Sequence, residues 1–336
     1  MTREQLLRDS FWHLACHRSE LPGAGSYLKL KWLNEDLVVF NDAGELLVFD
    51  NVCPHRGARF FSDESGKGAL SCSYHGWTFH GGKTIIPCIE KYNQEELATA
   101  RLTTLKTSWC GDFLFVGINP RSSIEEQLGQ KIFDLLASIS MDIDGRVDFN
   151  AYVFECDWKF AIENALDTLH IPYIHPESLG VLDLTELKNE YFGKNSIGYF
   201  QINDVLMKKK LSQIKRMFDL SEQFEGYMNI YMFPFTMLTS TFGYSYSLQN
   251  FFPSSSPDKT FFNSRLLKSC VKKTYPSGAM DFFFNSTAAV NRQVFDEDHQ
   301  ICKRIATNFY DENSRKFLSS DEEKIAHFRK SLKELI

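Results

Sequence analysis

Four potential metal ligands stand in two short pairs, Cys53 with His55 and Cys72 with His75. Sixteen residues separate His55 from Cys72, so a loop could bring the pairs together. Two thiolates and two imidazoles could bind zinc tetrahedrally. They also suit a 2Fe-2S cluster in which one iron takes both thiolates and the other both imidazoles, because each pair offers one ligand of each type. Neutral imidazoles raise the potential of such a cluster, so the pattern favours a cluster that accepts electrons from a soluble reductase.

A second set of polar side chains lies in an otherwise apolar segment in the middle of the chain, where such groups are costly unless they have a task. Asn164, Asp167 and His170 are three residues apart and would share one face of a helix. Pro172 would then break this helix and let His175 reach the same metal. Two imidazoles and one carboxylate form the facial triad of a non-haem Fe(II) site, which leaves open positions for O2 and substrate.

The third ligand of that triad is predicted in a late acidic run, which contains Asp296, Glu297 and Asp298. Alone, such a run is typical of the solvated face of a helix. Beside two histidines it can supply the missing carboxylate. Asp298, followed by the apolar Ile301 about one helical turn later, is the predicted ligand, and Asp296 is the alternative.

The composition argues against several classes of protein. The 336 residues carry a net charge of −6 and no stripe of lysines and arginines, whereas a nucleic-acid partner would demand a basic face. No apolar stretch reaches about 18 residues and the polar start is unlike a signal peptide, so we expect a cytoplasmic protein without a membrane segment. The eight cysteines are too sparse for a disulfide framework.

The elements that must position these side chains fall into two parts. Short apolar runs separated by turn residues indicate an all-β domain, and a helix after the turn at Asn119 and Pro120 marks its end. The remainder mixes helices with antiparallel strands, so the fold class is α+β. The predicted divisions are an N-terminal segment over 1–35, the β domain over 36–120 and a second domain over 121–336. The predicted helices of the second domain span residues 124–139, 158–170, 280–307 and 322–335.

In this order the motifs resemble those of the α subunit of the Rieske non-haem iron oxygenases, also called ring-hydroxylating oxygenases. The pattern Asn-x-x-Asp-x-x-His-x-x-x-x-His begins about 90 residues after the cysteine and histidine pairs, and the late Asp follows. The first part of the signature reads Cys53-Pro54-His55-Arg56-Gly57 and Tyr74-His75-Gly76-Trp77. The resemblance implies a small Rieske β-sandwich domain joined to a helix-grip domain, an antiparallel sheet with a long C-terminal helix. Residues 190–225 carry no feature of the family.

The resemblance also implies how the sites are built. The family forms homotrimers, in which His75 of one subunit would lie near Asp167 of its neighbour. Asp167 would then bridge the two metal centres by hydrogen-bonding His75 and His170, and is set aside as a ligand. Asn164 is expected beside the iron ligands. The implied ligands are Cys53, His55, Cys72 and His75 for the Rieske 2Fe-2S cluster and His170, His175 and Asp298 for the mononuclear Fe(II).

The function implied by the resemblance is that of an oxygenase component. It would use O2 to hydroxylate, dihydroxylate or oxidatively demethylate a small apolar or aromatic substrate. NAD(P)H would act only through a separate flavin or iron-sulfur reductase, in some systems with a ferredoxin, because the chain lacks a Gly-x-Gly-x-x-Gly fingerprint. The chain is short for members that carry an added β subunit. The alternatives are a Rieske electron-transfer protein fused to a non-catalytic ligand-binding domain, and a zinc-stabilised binding module.

Overall fold

The computed structural model describes residues 1–32, 35–222, 224–272, 277–306 and 317–335. They form two compact units, Met1–Arg121 and Ser122–Ile336. Residues 1–35, predicted as a separate N-terminal segment, supply a helix and two strands to the first unit. Within the described ranges, the helices are all too short or too polar to cross a membrane.

The first unit consists of three small antiparallel sheets, with strand orders β1-β9-β8, β4-β3-β2-β5 and β6-β7. The predicted turn at Ala43 and Gly44 forms the hairpin between β3 and β4, and both residues have positive φ. The β3-β4 hairpin packs against the segments that carry the cysteines, since Val38 and Phe49 share one core with Trp77. The elements are α1 (Arg3–Ser10), β1 (His13–His17), β2 (Ser26–Trp32), β3 (Glu35–Asp42), β4 (Glu45–Asp50), β5 (Ser65–Lys67), β6 (Thr78–His80), β7 (Lys83–Ile85), α2 (Gln94–Leu97), β8 (Lys106–Cys110) and β9 (Phe113–Gly117).

The second unit is built on a seven-stranded antiparallel sheet with the order β10-β16-β15-β14-β13-β12-β11. This arrangement of one large antiparallel sheet and helices agrees with the predicted α+β class. Its elements are α3 (Ile124–Leu128), α4 (Gln130–Asp142), β10 (Ile143–Phe154), α5 (Trp158–Leu166), α6 (Ile171–Ile174), β11 (Leu184–Phe192), β12 (Asn195–Ile202), α7 (Val205–Lys215), β13 (Tyr227–Met232), β14 (Thr236–Thr241), β15 (Ser245–Pro253), β16 (Thr260–Ser269), α8 (Ser277–Cys302) and α9 (Glu323–Lys333).

Several predicted helix bounds are wrong. The helix predicted over 158–170 ends at Leu166, because Asp167 is extended at φ −75° and ψ 142°. Pro172 lies in the first turn of α6, where the missing N–H costs nothing, so it begins a helix instead of breaking one. Gly129, at φ 78°, separates α3 from α4 inside the helix predicted over 124–139. The predicted end of the late helix at residue 307 lies outside the described residues.

Candidate metal centres

The two loops that carry the cysteine and histidine pairs share one backbone geometry. In each loop a glycine donates its N–H to the carbonyl of the cysteine four residues earlier: Gly57 to Cys53 at 2.9 Å and Gly76 to Cys72 at 2.8 Å. Both glycines have positive φ, 74° and 70°, a conformation that other residues adopt with strain. Each cysteine N–H then donates to the carbonyl five residues later, at 2.8 Å. The matching turns present the two pairs in the same way.

The four predicted ligands of these loops lie together. The rings of His55 and His75 are 4.6 Å apart between centroids, and their Nδ1 atoms are buried with no hydrogen-bond partner among the described residues. Burial raises the pKa of the Cys53 thiol, and contact with Cys72 raises it further. Two buried nitrogens without partners beside two buried thiols fit a cluster held by two thiolates and two imidazoles. Trp77, the last residue of the second motif, is buried and stacks on His55 at 4.8 Å between ring centroids.

In the second unit, three predicted ligand atoms converge. The Nε2 atoms of His170 and His175 are 3.2 Å apart, and Oδ1 of Asp298 lies 3.5 and 3.0 Å from them, respectively. Ligand atoms about 2.1 Å from one ion and at right angles to each other would be about 3 Å apart. The three atoms therefore fit a single metal ion and leave its other positions open. Asp296, the alternative ligand, is exposed.

The other ring nitrogen of each histidine contacts a carboxylate. Nδ1 of His170 lies 3.1 Å from Oδ2 of Asp167, and Nδ1 of His175 lies 2.7 Å from Oε2 of Glu297. Because an ionised carboxylate only accepts hydrogen bonds, each Nδ1 carries a hydrogen, and in the neutral form of each ring Nε2 offers its lone pair to a metal. Asp167 also caps the turn that follows α5, since its Oδ1 accepts the N–H of Leu169 at 2.8 Å.

The sequence analysis missed the role of Glu297, which it counted only as one of three acids. Ser178 Oγ donates to Oε2 of Glu297 at 2.6 Å, and Gln293 Nε2 donates to Oε1 at 2.9 Å. Ser178 and Gln293 therefore hold both carboxylate oxygens of Glu297 independently of its contact with His175. The position next to Asp298 was visible in the sequence. The contact with His175, 122 residues away, was not.

The third ligand candidate is held by the amide predicted beside it. Asn164 Nδ2 donates to Oδ1 of Asp298 at 2.7 Å, and both side chains are buried. Burial alone would raise the pKa of Asp298, but hydrogen bonds from His170 and His175 outweigh it and lower this pKa. For His170, burial lowers the pKa, yet the hydrogen bonds with Asp167 and Asp298 raise it to about 9. A cation bound by the two Nε2 atoms and Asp298 would displace the protons that these histidines carry on Nε2.

A cavity of about 490 Å³ lies beside the triad of His170, His175 and Asp298. Ser178, which holds Glu297, lines it, and so do Val294 and Phe295 on the turn of α8 before Asp298. Strands β14 and β15 and helix α7 supply further walls. Helix α7 belongs to the region in which the sequence analysis found no family feature. A pocket of this size, next to open metal positions, can hold a small organic molecule.

Two protein-family models match the chain. The model described as Rieske [2Fe-2S] domain matches residues 11–99, and the model described as Ring hydroxylating alpha subunit (catalytic domain) matches residues 139–336. The second match covers more than half of the chain.

Curated relatives and solved structures are similar to the chain as well. The glycine betaine monooxygenase oxygenase subunit of Chromohalobacter salexigens is 30% identical over 174 residues, and the anthranilate 1,2-dioxygenase large subunit of Acinetobacter baylyi is 26% identical over 187. Each match covers 51% of this chain but only 39% of the relative. The crystal structure of a quaternary ammonium Rieske monooxygenase with an inhibitor aligns over 97% of this chain and 89% of its own, with a TM-score of 0.75 and 17% identity. That likeness establishes the fold.

Proposed function

The chain belongs to the family of ring-hydroxylating Rieske oxygenase α subunits, and from this premise we propose that it is the oxygenase component of a multicomponent enzyme. It would use O2 and electrons from a separate reductase to hydroxylate, dihydroxylate or oxidatively demethylate a small apolar or aromatic substrate. The observation that carries this proposal is the convergence of Nε2 of His170, Nε2 of His175 and Oδ1 of Asp298 beside a cavity of about 490 Å³.

The proposal also includes the ligands of both metal centres. Cys53, His55, Cys72 and His75 would hold the 2Fe-2S cluster, and His170, His175 and Asp298 would hold the mononuclear iron. When bound, the cluster supplies single electrons and the mononuclear iron supplies the open positions at which O2 and substrate meet.

The surrounding side chains prepare the triad for the metal. Glu297 and Asp167 keep the hydrogens of His175 and His170 on Nδ1, so that both Nε2 lone pairs face the same point. Asn164 fixes the carboxylate of Asp298 by donating to Oδ1. The cavity next to the triad would bind the substrate.

Electron delivery is proposed to cross between subunits of a homotrimer, with Asp167 as the bridge. Exposed apolar side chains near both sites support this: Leu169 and Tyr173 beside Asp167 are 42% and 83% exposed, and Tyr74 beside His75 is 56% exposed. Such side chains are typical of surfaces that bind another protein. The electron donor is proposed to be a flavin or iron-sulfur reductase, with or without a ferredoxin.

The alternative, an electron-transfer protein with a non-catalytic ligand-binding domain, leaves the triad without a task. An electron carrier needs neither three converging ligand atoms nor two carboxylates that orient them. No observation favours this alternative over an oxygenase.

Metal analysis and spectroscopy of the anaerobically purified protein test the proposal. We expect about three irons per chain, two from the cluster and one from the triad, and a low-average-g EPR signal after reduction with dithionite. The variant His170→Ala should lose about one iron and keep that signal. A colourless protein that contains zinc, from cells with adequate iron, would overturn the proposal.

A further inference from the structure

The walls of the cavity beside the triad differ sharply in polarity. Its floor is formed mainly by β14 and β15, with Tyr227 of β13 and Leu266 of β16 at the two sides, and its cover by α7, α8 and the turn over 179–182. The apolar cover side chains include Leu182, Leu211, Ile214, Phe283, Val294 and Phe295. Helix α8 also contributes Ser286, Thr287 and Asn291, so the cover is mainly apolar with a few polar side chains, and its apolar part suits an apolar face of a bound molecule.

The floor, in contrast, is lined with neutral polar side chains. Thr239 and Thr241 on β14 and Ser245, Ser247 and Gln249 on β15 line the cavity. They are two residues apart along each strand, so they point to the same side of the sheet. Thr239 and Ser247 are direct partners across the strands, which makes the polar row continuous.

The amide of Gln249 is loosely engaged within this row. Its Nε2 donates to Oγ1 of Thr239 at 3.4 Å and to Oγ of Ser247 at 3.3 Å, both longer than the usual 2.9–3.0 Å for such bonds. Ser247 Oγ is also 3.3 Å from Oγ of Ser264. A bound hydroxyl, carbonyl or amide could replace these long bonds with shorter ones at little cost.

The charged side chains of the cavity lie at its mouth. Of the residues that line it, Glu177 and Lys210 are charged, and both are exposed. Burying an ionised group of a substrate on the floor would therefore leave that charge without a counter-ion, which is costly. Neutral hydrogen-bonding groups avoid this cost.

We propose that the substrate is an uncharged, amphipathic molecule whose neutral hydroxyl, carbonyl or amide group binds the floor row of Thr239, Ser247 and Gln249 while its apolar face packs under α8. This inference rests on the proposed function, and it narrows the substrate class. Gln249 is the specificity-determining residue of the row, since it offers both a donor and an acceptor.

Calorimetric titration of the iron-loaded, anaerobic protein with four probes that share one ring system tests this inference. The probes are 2-naphthol, naphthalene, 2-naphthoate and 2-naphthyltrimethylammonium, which differ in the polar group and its charge. We expect 2-naphthol to bind at least tenfold more tightly than the other three. In Gln249→Leu, the affinity for 2-naphthol should fall about tenfold, while that for naphthalene should change less than about twofold.

Gln213→Leu, the same substitution at an exposed position of α7 outside the cavity lining, is the matched control and should leave all four affinities unchanged. Failure of 2-naphthol to bind more tightly than naphthalene overturns the inference. So does tighter binding of either charged probe, or a naphthoate affinity that disappears in Lys210→Met. Because these titrations do not depend on turnover, a protein with about three irons that prefers a charged probe would keep the proposed function and lose only this inference.

Discussion

The histidines of the two candidate metal centres differ in the hydrogen-bond partners of their Nδ1 atoms. In the first unit, Nδ1 of His55 and of His75 is buried and has no hydrogen-bond partner within the described ranges. In the second unit, Nδ1 of His170 and of His175 is paired with a carboxylate, and the Nε2 atoms converge instead. In each centre, the nitrogen that would bind the metal is the one that neither Asp167 nor Glu297 contacts. The hydrogen-bonding state of Nδ1 therefore separates the two centres without any ion being present.

The difference follows from how each centre is assembled. The cluster loops reach their shape by local hydrogen bonds within six residues of each cysteine, so short turns alone present the ligands. The triad joins His175 to Asp298 across 123 residues, and no local turn can align such distant groups. Carboxylates on Nδ1 fix the ring orientation there, which a cluster ligand bound through Nδ1 cannot use.

The largest expected effect is the selective loss of one centre. Asp298→Ala should remove about one iron of three per chain, because two imidazoles alone bind Fe(II) weakly, and should leave the EPR signal of the cluster intact. Metal analysis and EPR on the same sample measure both centres. Asp296→Ala is the matched control and should keep all of the iron, since Asp296 is exposed. Retained iron in Asp298→Ala would show that the triad is wrong.

The next effect concerns the carboxylate on His170. Asp167→Asn should keep both metals, yet slow turnover about 100-fold, because an amide no longer stabilises the charge on the imidazole that it bridges. Iron content, together with the rate of oxidation of the reduced cluster by O2 in the presence of substrate, separates the two effects. Unchanged turnover would contradict the bridging role, and lost iron would make Asp167 a structural support of the triad instead.

A smaller effect is expected for the carboxylate on His175. Glu297→Ala should weaken binding of Co(II), used in place of Fe(II), about tenfold, because His175 would lose the partner that holds its ring and its hydrogen. Glu297→Gln should recover part of this affinity, since its amide oxygen can still accept from Nδ1. The exposed Gln300→Ala on the same helix is the control. Equal affinity in all three variants would remove Glu297 from the positioning of His175.

The comparison also explains how much of the sites could be predicted from sequence. The four proposed cluster ligands lie in two compact motifs whose spacing is set by local turns, so residue types and spacing were enough to name them as candidates. His170, His175 and Asp298 were also named, but the helix expected to join Asn164 to His170 ends at Leu166. The contact of Glu297 with His175 depends on how α8 crosses α6, which is a tertiary property. The cavity that α7 and β14 help to line is likewise a tertiary property, because it depends on how α7 packs against the sheet.

Lys324 tests whether a buried nitrogen without a partner always indicates a ligand. Its side chain is 2% exposed, Nζ has no hydrogen-bond partner in the described part of the chain, and Oε2 of Glu186 lies 3.9 Å away. Burial lowers the pKa of Lys324 to about 8, although the charges of Glu186 and Asp167 act in the opposite direction. The charged neighbour of Lys324 is a carboxylate at ion-pair distance, whereas His55 and His75 lie beside each other. The buried, charged side chain of Lys324 should therefore lower the free energy of unfolding.

Lys324→Met should raise the free energy of unfolding by about 2 kcal/mol at pH 7, because the charged amine is favoured in the unfolded chain and disfavoured in the fold. In the wild-type protein the unfolded state binds more protons between the folded pKa of about 8 and the ordinary value of 10.5. Its stability should therefore rise over this range, and the advantage of the variant should shrink as the pH increases. Urea unfolding at pH 7 and pH 10 measures both quantities. A less stable variant at pH 7 would mean that the ammonium interacts favourably with Glu186 and the ring of Phe200, and that lacking a hydrogen bond is a weak sign of strain at this position.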